Sequence, residues 1–187
     1  MMKVVLLAAG LSTRMGGKNK LICPIGDTCL VEIAMRNALS YTDDVLVVTG
    51  HESQAICEKA RRLGIRTLYN GSYANGQETS IRSALEMVDG PLMILPADMP
   101  FITRDVYAEC GRHLCGHDAA RPVSAGRPGH PVALSQTAVE AYRSGNGLMR
   151  DLVMRMDHDF YEASTDAVIT DVDTPQDFQR ISAMIRR

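Results

Sequence analysis

Several signatures are missing from this chain, and each lack removes a class of function. No stretch approaches the roughly 20 consecutive apolar residues that a bilayer-spanning helix needs, so no membrane partner is expected. No excess of positive charge exists either: the formal net charge is −2, which supplies no general attraction to a nucleic-acid polymer. The five cysteines are odd in number and contain no Cys-x-x-Cys pair, which argues against a disulfide framework. Cys110, His113, Cys115 and His117 lie close in sequence, but on a helix Cys115 would point away from Cys110 and His113. A helix end with buried thiols is the better reading than zinc. Two familiar phosphate loops are absent as well. Gly17-Lys18 is followed by Asn19 and preceded at the P-loop spacing by Ser12, and Gly10, Gly16 and Gly17 do not fit Gly-x-Gly-x-x-Gly.

What remains reads as one globular domain over residues 1–187, since 45% of positions are hydrophobic and 22% charged, enough for a single substantial core. Met1-Met2-Lys3 followed by Val4 to Ala9 faintly imitates a signal peptide. The apolar part is short and runs straight into a charged glycine loop, so a buried first strand and a cytoplasmic location are expected. Apolar runs at Val4–Leu7, Val45–Val48, Ile65–Leu68 and Leu92–Leu95 read as strands. Residues at helical spacing separate them, such as Ile56/Ala60/Leu63 and Ile81/Leu85/Val88. That alternation implies right-handed crossovers and an α/β fold, a mainly parallel sheet with helices on both faces. Beyond Pro100 the rhythm loosens. Arg121 to Leu134 reads as a hairpin or long loop between short strands. Helices follow near Ser135–Arg143 and Leu148–Met156, then a last strand around Ala167–Thr170. A closing helix begins at Pro175, with Thr174 as its N-cap.

The most informative segment is Leu7 to Lys20. An apolar strand breaks at Gly10 into a loop holding Ser12, Thr13, Arg14, Gly16 and Gly17, with Lys20 just beyond. Glycines let backbone N–H groups approach phosphate oxygens, while Arg14 and Lys20 neutralise their charge. An ordinary strand-to-helix loop with surface charges is the alternative. Two further polar clusters follow predicted strands: Pro96-Ala97-Asp98-Met99-Pro100 and Asp171-Val172-Asp173-Thr174-Pro175. Taken singly, Asp98 between prolines suits a rigid turn, and Asp171 and Asp173 suit a turn before a helix. Taken together at the carboxyl ends of parallel strands, they set carboxylates against an anion cradle, an arrangement that favours Mg²⁺ bridging Asp98, an acid of the third cluster and phosphate.

These landmarks resemble one family. Leu7-Ala8-Ala9-Gly10-Leu11-Ser12-x-Arg14-Met15-Gly16 with Lys20 is similar to the signature of the MobA-like nucleotidyltransferases, and within them to the molybdenum cofactor cytidylyltransferases. Asn70-x-x-Tyr73-x-x-Gly76-x-x-x-Ser80, Asp98-Met99-Pro100, Gly126-Arg127-Pro128-Gly129-His130-Pro131 and Asp171-Val172-Asp173-Thr174-Pro175-x-Asp177 agree in order, so the likeness spans nearly the whole chain. The resemblance implies a Rossmann-like nucleotidyltransferase fold and transfer of a nucleoside monophosphate to the phosphate of molybdopterin with release of pyrophosphate. By the same resemblance Ala8, Ala9, Gly10 and Ser12 hold base and triphosphate, and Arg14 and Lys20 the phosphates, as catalytic cations. Asp98 is the catalytic metal ligand with Asp173 beside it, and Asn70, Gly76 and Ser80 complete the nucleotide site. His130, Asp171 and Asp173 fall where acceptor and metal meet. Guanylyl-transferring relatives usually carry Gly-Gly where Ala9-Gly10 stands, so Ala9 favours CTP over GTP. The implied partners are CTP, a molybdopterin-type acceptor and, among proteins, a recipient molybdoenzyme or its chaperone.

Three departures stand out. Ala97 replaces a glycine often seen before the metal aspartate. Glu78 occupies a position where relatives carry small or hydroxyl residues, and a carboxylate beside phosphates would weaken nucleotide binding. Ser144-Gly145-Asn146-Gly147 matches the family's Gly-Asp-x-Gly segment only loosely. The chemistry needs no strong base, because a terminal phosphate is already anionic. Positioning and charge neutralisation suffice, and His130 is expected to bind or pack rather than carry protons. The alternatives are a GTP-using or other phosphate-directed nucleotidyltransferase of the same fold, and a non-catalytic nucleotide-binding maturation factor, to which Glu78 gives weight.

Overall fold

A computed structural model describes residues 2–15 and 19–185, with only the backbone given for Arg14. Gly16, Gly17 and Lys18 of the glycine loop, and the Arg14 side chain, lie outside the described residues.

Strand β1 (Lys3–Ala8) is buried at every position from Val4 onward. A continuous apolar run of this length suits only a strand covered on both faces. It pairs in parallel with β4 (Val45–Thr49), Val4 opposite Val45, and with β6 (Leu92–Pro96), Leu7 opposite Pro96. Between them a two-strand hairpin, β2 (Pro24–Ile25) and β3 (Thr28–Cys29), leads into helix α1 (Leu30–Tyr41). Helix α2 (Ser53–Arg62), strand β5 (Arg66–Tyr69) and helix α3 (Gln77–Met87) complete the first half. The second half runs through α4 (Arg104–His113), β7 (Ala119–Ser124), β8 (Arg127–Pro128), β9 (Val132–Leu134), α5 (Gln136–Ser144), α6 (Met149–Arg155), β10 (His158–Glu162) and α7 (Pro175–Ile185).

The main sheet has the order β10-β7-β9-β6-β1-β4-β5, with β8 paired to β7. Only β9 on that path runs against its neighbours. Side-chain alternation along β1 sorts the core into two layers. Val4, Leu6 and Ala8 pack under α1, α2, α4 and α7 through Met35, Ile56, Tyr107 and Ile181. Val5 and Leu7 pack under α3, α5 and α6 through Leu85, Val139 and Val153. The fold is thus the mainly parallel, two-faced α/β sheet expected. No helix among the described residues is long and apolar enough to cross a membrane.

The expected strand at Ala167–Thr170 does not form. Asp166–Ile169 is a 3-10 turn whose Ala167 N–H donates to the Thr165 hydroxyl. Val168 is fully buried, but its carbonyl is taken by the His130 N–H at 2.8 Å, outside any ladder. The edge strand is instead β10, parallel to β7. Its sequence His-Asp-Phe-Tyr-Glu buries only Tyr161, so it carries no apolar run to betray it. The cysteine-histidine segment is divided among separate partners: Cys110 is buried, His113 pairs with Asp159 at 2.8 Å and His117 with Asp157 at 3.1 Å.

Candidate functional site

The carboxyl ends of β1, β4 and β6 lie side by side, and the chain stays in register just beyond them. The Ala97 N–H donates to the Leu7 carbonyl at 3.0 Å, and the His51 N–H to the Ala9 carbonyl at 3.4 Å. Asp98 therefore stands next to the start of the glycine loop. The third acidic cluster reaches the same place without a strand, because the Val172 N–H donates to the Asp98 carbonyl at 3.1 Å. Helix α7 then starts from a reciprocal cap. The Thr174 hydroxyl donates to Asp177 Oδ2 at 2.7 Å, and the Asp177 N–H returns a bond to the Thr174 hydroxyl at 3.1 Å.

These segments enclose a cavity of about 460 Å³. Ala9, Gly10 and Ser12 line it from the first loop, Gly76 and Ser80 from the start of α3, and Lys20, Asp98, Asp171 and Asp173 from below. Ser12 adopts φ 51°, a left-handed conformation unusual for a residue with a side chain. Its hydroxyl accepts the Lys20 N–H at 3.3 Å, which fixes the turn carrying Lys20. Gly76, at the mouth of α3, has φ 105° and ψ 165°, a region open essentially to glycine alone.

Lys20 is the centre of the charge arrangement. Its Nζ lies 2.5 Å from Asp98 Oδ2 and 3.1 Å from Asp173 Oδ1. Burial works against the ammonium, but the Asp98 and Asp173 carboxylates outweigh it and hold its pKa above the ordinary value. Burial pushes the Asp98 carboxyl up, with the Lys20 charge opposing. Asp98 Oδ1 is buried and has no hydrogen-bond partner among the described residues. An orphaned carboxylate oxygen beside a second carboxylate fits a hard divalent cation. No cluster of three or more histidine, cysteine or acidic side chains suited to a metal exists among the described residues. Any such ion would draw its remaining ligands from substrate and water.

Some expected site residues sit elsewhere. Ala8 is fully buried within β1 and does not line the cavity. Asn70, only 3% exposed, is also absent from the wall. Its Nδ2 donates to Thr79 at 2.8 Å and Ser80 at 2.9 Å, while its Oδ1 accepts the Ser72 N–H at 2.9 Å, so it braces the loop before α3. His130 lines a second cavity, beyond α3, and not the first. Glu78 corrects the expectation made for it. It turns away from the first cavity, and its Oε1 accepts the Met149 N–H at 2.8 Å and the Tyr142 hydroxyl at 2.5 Å. Gln77 and Ser80 line the first cavity while Glu78 and Ile81 line the second, as the rotation of about 100° per helical residue dictates.

Sequence reasoning missed Gly50. A Cβ there would stand 2.5 Å from Tyr73 Cβ and 2.9 Å from Ala9 Cβ, so the Ala9 methyl and the Tyr73 ring close over bare backbone. The signal was available: Gly50 follows the apolar run of β4 as Gly10 follows that of β1.

Residues 4–160 match the MobA-like NTP transferase domain. The molybdenum cofactor cytidylyltransferase of Escherichia coli (strain K12) is 32% identical, over 93% of this chain and 92% of that one. Nicotine blue oxidoreductase of Paenarthrobacter nicotinovorans is 27% identical, over 95% and 94%. A nucleotidyl transferase from Methanothermobacter thermautotroptrophicus superposes with a TM-score of 0.85 at 21% identity, covering 100% of this chain and 98% of that one. A cradle of strand-end glycines facing paired acids, on this sheet and with this match, makes the chain a nucleotidyltransferase belonging to the MobA-like NTP transferase family.

Proposed function

We propose that the protein transfers CMP from CTP to the terminal phosphate of molybdopterin, releasing pyrophosphate. The observation that carries this reading is the convergence of the glycine loop, Lys20, Asp98 and Asp173 on one cavity. Ala9, Gly10, Ser12, Gly76 and Ser80 hold the nucleotide, with Arg14 and Lys20 countering the triphosphate charge. An acceptor phosphate oxygen attacks the α-phosphorus, the bond to the β-phosphate oxygen breaks, and pyrophosphate leaves. Asp98 and Asp173 would hold a divalent ion, Mg²⁺ in this reading, which neutralises phosphate charge when bound.

Lys20 has a defined part in this scheme. Its ammonium compensates the two carboxylates, and it would be released to counter the triphosphate charge if Asp98 and Asp173 held a divalent ion instead. Asp171 stands at the rim, where it borders the acceptor phosphate. Ala8 and Asn70 act only by support, the first as strand core and the second as the brace for Ser80.

The choice of CTP over GTP rests on the family resemblance, in which guanylyl-transferring relatives usually carry Gly-Gly where Ala9-Gly10 stands. The weight that Glu78 lent to a non-catalytic role is gone, because its carboxylate is engaged elsewhere. A recipient molybdoenzyme or its chaperone would take the product. Pyrophosphate release measured with each nucleoside triphosphate in turn, with and without molybdopterin, tests the proposal. Release with CTP that depends on molybdopterin is expected, and release with GTP at an equal or higher rate would remove the cytidylyl assignment.

A further inference from the structure

Helix α3 begins as part of the nucleotide wall. Gly76, Gln77 and Ser80 line the first cavity, yet Gln77 is exposed and Gly76 has no side chain to lean on a neighbour. On the inner side the Asn70 carboxamide grips this turn through Thr79 and Ser80. On the outer side the grip is Glu78. Its Oε1 accepts the Met149 N–H at 2.8 Å and the Tyr142 hydroxyl at 2.5 Å. Met149 opens α6, and the preceding Leu148 supplies no side-chain cap. A carboxylate from another helix thus satisfies a donor that α6 itself cannot. Tyr142 is buried. Burial, with the Glu78 carboxylate beside it, raises the phenol's pKa, and the hydroxyl stays a donor.

Arg82, one helical turn further along α3, completes the tie with the opposite chemistry. Its guanidinium donates to the carbonyls of Gly145 at 3.2 Å and Gly147 at 3.4 Å, and lies 4.7 Å from the centre of the Tyr142 ring. A carboxylate therefore takes donors of the α5–α6 region, and a guanidinium takes acceptors of the same connection. Arg143 of α5 holds the far end of α3 by donating to the Leu85 and Val88 carbonyls, groups that a helix C-terminus leaves open. Among the hydrogen bonds of the described residues, Glu78 alone joins the first turn of α3 to α5 and α6.

We propose that Glu78 is a positioning residue for nucleotide binding: its carboxylate ties the cavity-lining first turn of α3 to Tyr142 and Met149, so that α5 and α6 set the nucleotide wall without touching the nucleotide. This deepens the proposed function and rests on the first cavity being the nucleotide site. The role is opposite in sign to the one its charge suggests from sequence, because Glu78 supports the site instead of repelling its ligand. It is also geometric. The carboxylate faces away from the first cavity, and an uncharged acceptor of equal reach serves the same purpose.

Equilibrium dialysis of the full chain with CTP and Mg²⁺, repeated with GTP, gives both the number of sites and the affinity per site. Amide exchange at Met149, followed by NMR without nucleotide, reads the tie itself. Glu78→Met keeps the reach and removes the acceptor, whereas Glu78→Gln keeps the acceptor and removes the charge. Tyr142→Phe breaks one bond and leaves α3 unaltered, and it decides the matter on its own should Glu78→Met fail to fold. Exchange at Met149 is expected to be about tenfold faster in Glu78→Met, the scale of one lost hydrogen bond, and close to wild type in Glu78→Gln. Affinity per site should fall about fivefold in Glu78→Met and by a smaller factor in Tyr142→Phe, with the number of sites retained. Glu78→Gln should stay within about twofold of wild type. A purely structural role would instead cost sites and leave the affinity of the remainder unchanged, and that result would overturn the proposal. Glu78→Gln binding as weakly as Glu78→Met would overturn it too. A wild type that binds neither nucleotide, with Met149 exchange behaving as expected, would count against the nucleotide site and leave the tie standing.

Discussion

The Lys20 ammonium bridges one acid from the middle of the chain and one from near its C-terminus, 2.5 Å from Asp98 and 3.1 Å from Asp173. With side-chain exposures of 12%, 15% and 32%, the three groups are largely withdrawn from water, and Lys20 compensates both acids. Removing one partner of a largely buried ion pair typically costs about 3 kcal/mol. Lys20→Met should therefore lower the melting temperature clearly. Added Mg²⁺ or Mn²⁺ should restore more stability to this variant than to the wild type, since the ion replaces the missing charge. Equal metal-dependent shifts in the two proteins would contradict the arrangement.

Asp98→Asn keeps shape and removes charge at the buried end of that bridge. Turnover is expected to fall by about 100-fold or more, the scale of losing a key electrostatic group. Nucleotide binding should be retained, and equilibrium dialysis with CTP checks this separately. Near-normal turnover would show that Asp98 is only a turn residue between prolines.

Gly50 is a steric test of the nucleotide wall. A methyl group at this position meets the Tyr73 and Ala9 side chains at 2.5 and 2.9 Å, and such overpacking costs about 1–3 kcal/mol. Gly50→Ala should lose stability on that scale and bind CTP less tightly, because Ala9 or Tyr73 must move. Unaltered affinity would place the base elsewhere.

His130 gives a pH signature with a definite sign. Its imidazole titrates at about 4 in the fold, against about 6.5 in an unfolded chain. Between those values the unfolded chain takes up a proton that the native protein does not. Stability contributed by this group is complete above pH about 6.5 and is lost as pH falls towards about 4, by about 3 kcal/mol in total. Urea denaturation at pH 7.5 and 4.5 should show a smaller drop in His130→Asn than in the wild type. Identical drops would contradict the buried, neutral ring.

Much of this could be read from residue order, and the failures share a cause. The strands β1, β4 and β6 are apolar on both faces, so their runs announced them, and the residues that follow inherit the carboxyl edge. That made Gly10, Asp98 and Lys20 visible as one constellation. Strand β10 lies at an edge with one buried side chain, while Val168-Ile169 is apolar without being a strand. A pattern of hydrophobicity cannot separate the two cases. The orientation of Asn70 and Glu78 was not legible for a different reason: it depends on which way α3 is rotated, and single-residue chemistry does not encode it. The second cavity was the least legible part, because its walls come from β6, β7, β9, α3 and α6, and its polar residues, among them Glu78, Arg121 and His130, are scattered along the chain.

The central claim is most directly tested by anomalous diffraction from crystals grown with CTP and Mn²⁺. One manganese peak within coordination distance of an Asp98 oxygen and the CTP phosphates, with Lys20 withdrawn towards the phosphate tail, is the predicted result. A peak away from Asp98, or CTP lodged outside the cavity formed by Gly10, Ser12 and Gly76, would contradict the account.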